Sequence, residues 1–213
     1  MNESVKRDYR SELRAAHAAD TRRLIVSAAA RLFVEDGYGA TTIDAVAGSA
    51  GVSRKTVFTA VGGKVDLLKT ALDWAVAGDD RPVPVADRPA VRELLALDDP
   101  AALITAWVRV MVAIDVRVAD LFRALEVAAD GDDAACGLLE EYRRQRLLGA
   151  RAVVKRLAGL DALTDAMSRA EAADVAWLAT DPVLFDRFVR IRGWSVSRFE
   201  AWLARTLTGQ LLP

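Results

Sequence analysis

One cysteine, one histidine and six prolines among 213 residues exclude much chemistry before any motif is read. A lone thiol, Cys136, closes no internal disulfide and reads as a buried or half-buried group in a reducing compartment. A lone histidine, His17, leaves histidine-dependent triads and histidine-rich metal sites without their material. No metal, no cofactor and no enzymatic activity are therefore expected. The acidic pairs Asp79-Asp80, Asp98-Asp99 and Asp132-Asp133 fall at expected loops or helix starts, where solvation and capping account for them. Long apolar runs are scarce as well. The longest candidate, AALITAWVRVMVAI, is broken by Arg109 and falls short of the ~20 residues that span a bilayer. The opening MNESVKRDYRSELR is charged throughout and lacks the apolar centre of a secretory leader, so a cytoplasmic protein without membrane contact is expected. GYG at 37–39 is no dinucleotide fingerprint, because Thr42 stands where the third glycine belongs and no strand precedes it. GGK at 62–64 is no phosphate loop, because position 58 is Phe.

What is present points to helices. Hydrophobic residues make up 53% of the chain, enough for a sizeable core, and Ala, Leu and Arg, all good helix formers, are abundant. No strand alternation, internal repeat or low-complexity tract is found. The net charge of −1 is unevenly spread: residues 1–64 hold ten Lys/Arg against seven Asp/Glu, and the rest nineteen against twenty-three. The spacing predicts an all-α fold in three parts: a mobile arm over 1–20, a small helical domain over 21–66 and a larger helical domain over 67–213. Leu24, Ile25, Ala28, Ala29, Leu32 and Phe33 share one helix face, which Asp36-Gly37 terminates. Residues 78–90, GDDRPVPVADRPA, read as a linker. Asp99-Pro100 and Asp181-Pro182 are cap-plus-proline starts. Ser168 with Glu171 forms a capping box, and Ser195 between Trp194 and Phe199 fits a hydrophobic staple.

The stretch TTIDAVAGSAGVSRKTVFTAVGGK, residues 41–64, carries the functional signal. Thr41 and Thr42 offer an N-cap. Ile43, Val46, Ala47 and Ala50 mark a short helix, Gly51 a tight turn, and Ser53 the N-cap of a second short helix with Val57 and Val61 inward. The small residues let the two helices cross closely, as in a helix-turn-helix. The start of the second helix carries Arg54, Lys55, Thr56 and Thr59. Arg and Lys can read guanine O6 and N7, and Thr can meet a thymine methyl or a phosphate.

The segment from Leu24 to Leu72, through AARLFVEDGYGATTIDAVAGSAGVS and the following K-V-D-L-L, resembles the tetracycline-repressor (TetR) family of bacterial regulators. The C-terminal WLATDPVLFDRFVRIRGWSVSRFEAWLARTL is similar to the last helices of many members. The resemblance implies a homodimer reading double-stranded operator DNA with its N-terminal helices and binding a small-molecule effector in its C-terminal domain. It implies DNA-contacting roles for Thr42, Ser53, Arg54, Lys55, Thr56, Phe58, Thr59 and Lys64, with Thr42 and Lys64 on phosphates. Phe58 replaces the usual Tyr and Ala60 cannot hydrogen-bond, so phosphate anchoring from this helix is expected to be weak. The basic residues Lys6, Arg7, Arg10, Arg14, Arg22 and Arg23 could compensate along the backbone or in the minor groove.

For the effector, Trp107, Met111, Phe122, Tyr142 and Trp177 are candidates to line a cavity, with Arg109 or Arg146 orienting an acidic or polar group on a largely apolar molecule. The aromatic-rich helices from about residue 168 are expected to pair across a two-fold axis, or else to pin the last helix to its own subunit.

Overall fold

In the computed structural model, residues 3–213 are described, with side chains from 13 onward. The chain is helical with no strand among those residues. Helix α1, Glu3–Glu35, buries Ile25, Val26, Ala28, Ala29, Leu32 and Phe33. Leu24, expected on that face, lies outside it at 58% exposure. The helix starts at Glu3, so the segment read as an arm continues α1; of its basic side chains, Lys6, Arg7 and Arg10 lie outside the described residues, and His17 is exposed. Gly37, at φ 83°, takes the left-handed turn that ends α1.

A single turn, α2 (Gly37–Ala40), then leads into α3 (Ile43–Ala50) and α4 (Arg54–Ala60). Thr42 caps α3 by accepting from the Ala45 N–H, while Thr41 is buried and donates to the Leu32 and Gly37 carbonyls. Thr41 is thus a bracket between α1 and α2 and takes no part in the cap. Gly51, at φ 69°, turns the chain, and Ser53 caps α4 by accepting from the Thr56 N–H. Helix α5, Lys64–Ala77, begins where the Asp66 carboxylate accepts the Gly63 N–H at 2.8 Å.

The expected linker is a loop over 78–88 that holds one 3-10 turn, and the short α6 (Pro89–Leu95) follows. Two long antiparallel helices come next, α7 (Pro100–Ala129) and α8 (Asp133–Gly159). The chain closes with α9 (Arg169–Ala179), the one-turn α10 (Pro182–Phe185) running into a π-helical turn over Asp186–Ile191, and α11 (Val196–Leu211). Asp99, Asp132, Ser168, Asp181 and Ser195 each cap the helix that follows them.

Two apolar cores result. The first joins α1, α3, α4 and α5 to Leu121, Phe122, Leu125 and Ala128 of α7 and to Ala135, Leu138, Leu139 and Tyr142 of α8. The second joins α6, the first half of α7, the second half of α8, and α9 to α11. The packing of the N-terminal helices therefore extends beyond residue 66, and α7 and α8 pass through both cores. Trp194 meets Phe188 and Trp202 at centroid distances of 4.7 and 6.0 Å, and Phe199 meets Trp202 at 5.8 Å, so these rings tie α11 to its own chain. Cys136 is exposed, contrary to the buried or half-buried expectation, because it sits on the solvent side of the first turn of α8.

Candidate nucleic-acid interface and effector cavity

The outer end of the head is built by caps. Helices this short hold their shape only through capping and tertiary contacts. Ser53 and Thr56 spend their hydroxyls on each other at 2.8 Å, and the Thr59 hydroxyl donates to the Lys55 carbonyl at 2.9 Å. These three therefore shape α4. The Arg54 guanidinium donates to Asp44 on α3 at 2.7 Å and lies 5.7 Å from the Phe58 ring centre. Lys55 is exposed and has no side-chain partner among the described residues. Phe58 is 46% exposed. Thr42, Ser53, Arg54, Lys55, Phe58 and Thr59 are all exposed at this end of the head, and Thr56 is half-buried.

Lys64 stands apart. Its ammonium lies 4.2 Å from the Tyr38 ring centre and donates to the Gly39 carbonyl at 3.2 Å. Burial lowers its pKa, with the nearby Asp132 carboxylate opposing. Tyr38 stacks on Phe33 at 5.6 Å and donates its hydroxyl to Asp132, the cap of α8, at 2.7 Å. Burial of the ring and that bond raise the Tyr38 pKa, and the bond holds the Asp132 carboxyl below its ordinary range. Tyr38, Lys64 and Asp132 form a polar joint between the head and the long helices. No motif exposed it, since Tyr38 and Asp132 are 94 positions apart. A hydrogen bond to a charged acceptor is worth about 1.5–3 kcal/mol, and this one is half-buried. Tyr38→Phe keeps the ring and is expected to lose about that much stability in urea melts; an unchanged midpoint would show that water replaces the bond.

Between the two cores lies a cavity of about 1000 Å³, at the upper end of the usual range for small-molecule sites. Trp107, Met111, Ile114, Asp115, Val118 and Phe122 of α7 form one wall, Tyr142 and Arg146 of α8 another, and Asp73 and Trp74 of α5 a third. The 79–86 strap borders it with Pro82, Val83 and Pro84. The strap is pinned at Asp79, which accepts from Arg81 and Arg88; these bonds hold its carboxyl far below the ordinary range. The Tyr142 hydroxyl donates to Asp73 at 2.6 Å, and burial with this bond pushes its pKa up.

Of the seven residues expected in the cavity, Trp107, Met111, Phe122, Tyr142 and Arg146 line it. Arg109 does not: it points outward and pairs with Glu200 on α11 at 3.6 Å. Trp177 is also outside the lining; it lies 5.3 Å from the Arg146 guanidinium and donates its indole N–H to the Arg143 carbonyl. Arg146 itself is held by Asp181 at 2.7 Å and by the Trp177 carbonyl. Asp115 was missed by the sequence reading. It follows Met111 by four positions and precedes Val118 by three, which places it on the apolar face of α7. A carboxylate on that face was the available signal.

Residues 25–71 match the family described as bacterial regulatory proteins, tetR family. No curated protein sequence matches significantly. Similar solved structures cover nearly the whole fold. NalD of Pseudomonas aeruginosa, the secondary repressor of the MexAB-OprM multidrug efflux pump, is 18% identical with a TM-score of 0.68, over 92% of this chain and 98% of its own. A Saccharomonospora viridis structure assigned as a transcriptional regulator, in complex with choline, is 17% identical with a TM-score of 0.69, over 92% and 99%. A Rhodococcus structure assigned to the TetR family is 14% identical with a TM-score of 0.68, over 89% and 97%. At such identities the likeness speaks for the fold, and the head supplies the family signature. Residues 25–71 thus carry the signature of the tetR family of bacterial regulatory proteins, on a fold similar to that of solved regulators.

Proposed function

We propose that this protein is a DNA-binding transcriptional regulator, a repressor that leaves a near-palindromic operator when a small molecule fills the cavity between its cores. The observation that carries the reading is continuity: α7 and α8 wall the cavity and also close the core of the head. A ligand that shifts these two helices shifts α1 and α5, and through them α3 and α4. Ligand and DNA would then prefer different head positions, a coupling on the order of 1–3 kcal/mol. Two heads of a homodimer would read half-sites about 34–36 Å apart. The helices from α9 onward, with exposed Leu178 and Val196, supply the pairing face. The choline complex and the efflux-pump repressor among the similar folds fit a ligand-responsive regulator.

Within the head, Lys55 carries base contact. Arg54 and Phe58 flank it, Thr42 and Thr59 reach phosphate or sugar, and Ser53 and Thr56 hold the helix start. Arg54 must exchange Asp44 for DNA. Lys64, already engaged by Tyr38 and Gly39, serves the joint first and a phosphate second. An operator recovered by selection from random duplexes provides the test. Lys55→Ala is expected to weaken operator binding by about 1–3 kcal/mol and scrambled duplex by clearly less. Equal losses on both would remove Lys55 from base recognition, and no recovered inverted repeat would overturn the symmetric operator.

A further inference from the structure

The buried polar and charged side chains of the described residues are Thr41, Asp115 and Thr180. The two threonine hydroxyls donate to backbone carbonyls, at 2.8 Å for Thr41 on Gly37 and 2.9 Å for Thr180 on Ala176. Asp115, 3% exposed, has no partner for its Oδ2 although it lies in the cavity wall. Leaving a buried acceptor unpaired costs about 1–3 kcal/mol, and more for a charged one. A carboxyl kept there at that cost, in the wall of a space large enough for a drug-sized molecule, points to a ligand group that pairs with it.

The charges around it narrow the chemistry. Arg146 is committed to Asp181 at 2.7 Å, Lys69 to Asp73 at 2.5 Å, and Arg81 and Arg88 to Asp79 at 2.7 and 2.8 Å. Among the described residues, Asp73, Asp79 and, through Arg23, Asp80 of the cavity lining each have an ion-pair partner, and Asp115 has none. The rings of Trp107, Phe122 and Tyr142 share the wall with Met111, Ile114 and Val118. Aromatic faces favour a cation, and the aliphatic remainder favours an apolar body.

Resting on the reading of the cavity as an effector site, we infer that the effector is a lipophilic amine whose protonated nitrogen donates to the Asp115 carboxylate. This class differs from the acidic or polar ligand expected from Arg109 and Arg146, since the first points away and the second is already neutralised. Burial raises the Asp115 pKa to about 8; Arg146 on α8 pulls it down and Asp181 at the start of α10 pushes it up. At neutral pH the carboxyl then holds a proton. Binding exchanges it: the neutral acid and the ammonium become carboxylate paired with ammonium, and one proton leaves to solvent.

Three probes that differ only at the polar end test this by calorimetry on the full chain at pH 7.5: 4-biphenylmethylamine, 4-biphenylmethanol and 4-biphenylcarboxylate. The amine is expected to bind about tenfold or more tightly than the alcohol, as one paired charge gives, and the carboxylate most weakly. Asp115→Asn is expected to remove the advantage of the amine over the alcohol. Equal binding of the amine and alcohol by the wild-type chain overturns the amine assignment alone, as does an undiminished preference in Asp115→Asn. If no probe binds the wild-type chain, the reading of the cavity as an effector site falls, and the amine assignment with it. The wild-type comparison stands even if the variant does not fold.

Discussion

Asp115→Leu is expected to melt well above the wild-type chain at pH 8 and by a clearly smaller margin at pH 4. A carboxyl with a folded-state pKa of about 8 and an unfolded value near 3.9 takes up protons on folding. The sign follows from that. Below the unfolded value both states are protonated and the group costs nothing through titration. As pH rises from 4 to 8 the unfolded chain gains by ionising while the folded chain cannot, so stability falls across that window and levels off above it. At pH 7 the difference between the two values amounts to roughly 4 kcal/mol. For a chain of this size that is on the order of 10 °C in melting temperature. Replacing the carboxyl by an aliphatic group removes this cost and supplies apolar surface beside Ile114 and Val118, with cavity space to receive it. Melts of both proteins at pH 4, 6 and 8 decide the matter. If the wild-type chain does not lose stability relative to the variant between pH 4 and 8, the carboxyl is solvated and the argument fails. The same variant is expected to lose its response to amines. Native sequence tolerates such a destabilised position where function needs the group, which links this measurement to the ligand assignment.

How much of this was legible beforehand depended on the range of the interaction. Caps act within one helical turn, so Thr42, Ser53, Asp99, Ser168, Asp181 and Ser195 could be read as helix starts, and each is one. The helix-turn-helix was legible for the same reason, since Gly51 and the small residues beside it act locally. Thr41 was misread because its partner, the Leu32 carbonyl, belongs to the preceding helix. The polar joint was invisible because its bond joins Tyr38 to Asp132 across the fold. In the cavity, aromatic spacing on α7 found Trp107, Met111 and Phe122, yet Arg109 was assigned inward although it lies only two positions from each of the first two. A helix turns by about 100° per residue, so two positions carry a side chain to the opposite face. Asp115 illustrates the converse: an acid on an apolar stripe leaves the stripe's pattern intact, although its phase matches Met111 and Val118.

Gly62→Ala is expected to abolish tight operator binding while leaving amine binding in the cavity near its wild-type level. Gly62 has φ 123°, a backbone conformation side-chain-bearing residues rarely adopt, at a cost of about 1–3 kcal/mol, and it is the residue that turns α4 into α5. A Cβ placed there would stand 2.9 Å from Asp66 Cγ, so the Asp66 side chain would have to move. That carboxylate accepts the Gly63 N–H at the start of α5, and losing such a cap costs about 0.5–2 kcal/mol more. Backbone strain and the lost cap fall on one turn, and together they approach 2–4 kcal/mol. Helix α4 has only one buried side chain, Val57, to hold it on the head. The strain is therefore relieved by reorienting or fraying α4, which carries Lys55. The neighbouring position is the control. Gly63 has φ −81°, and a Cβ there would meet nothing nearer than Asp66 Oδ2 at 3.6 Å. Gly63→Ala is accordingly expected to bind operator within a few-fold of wild type. Operator titrations on both variants, beside calorimetry with the biphenyl amine, separate local damage to the head from general unfolding. Retained operator affinity in Gly62→Ala would show that the turn relaxes without moving α4, and equal losses in both variants would place the sensitivity elsewhere than in the backbone of Gly62.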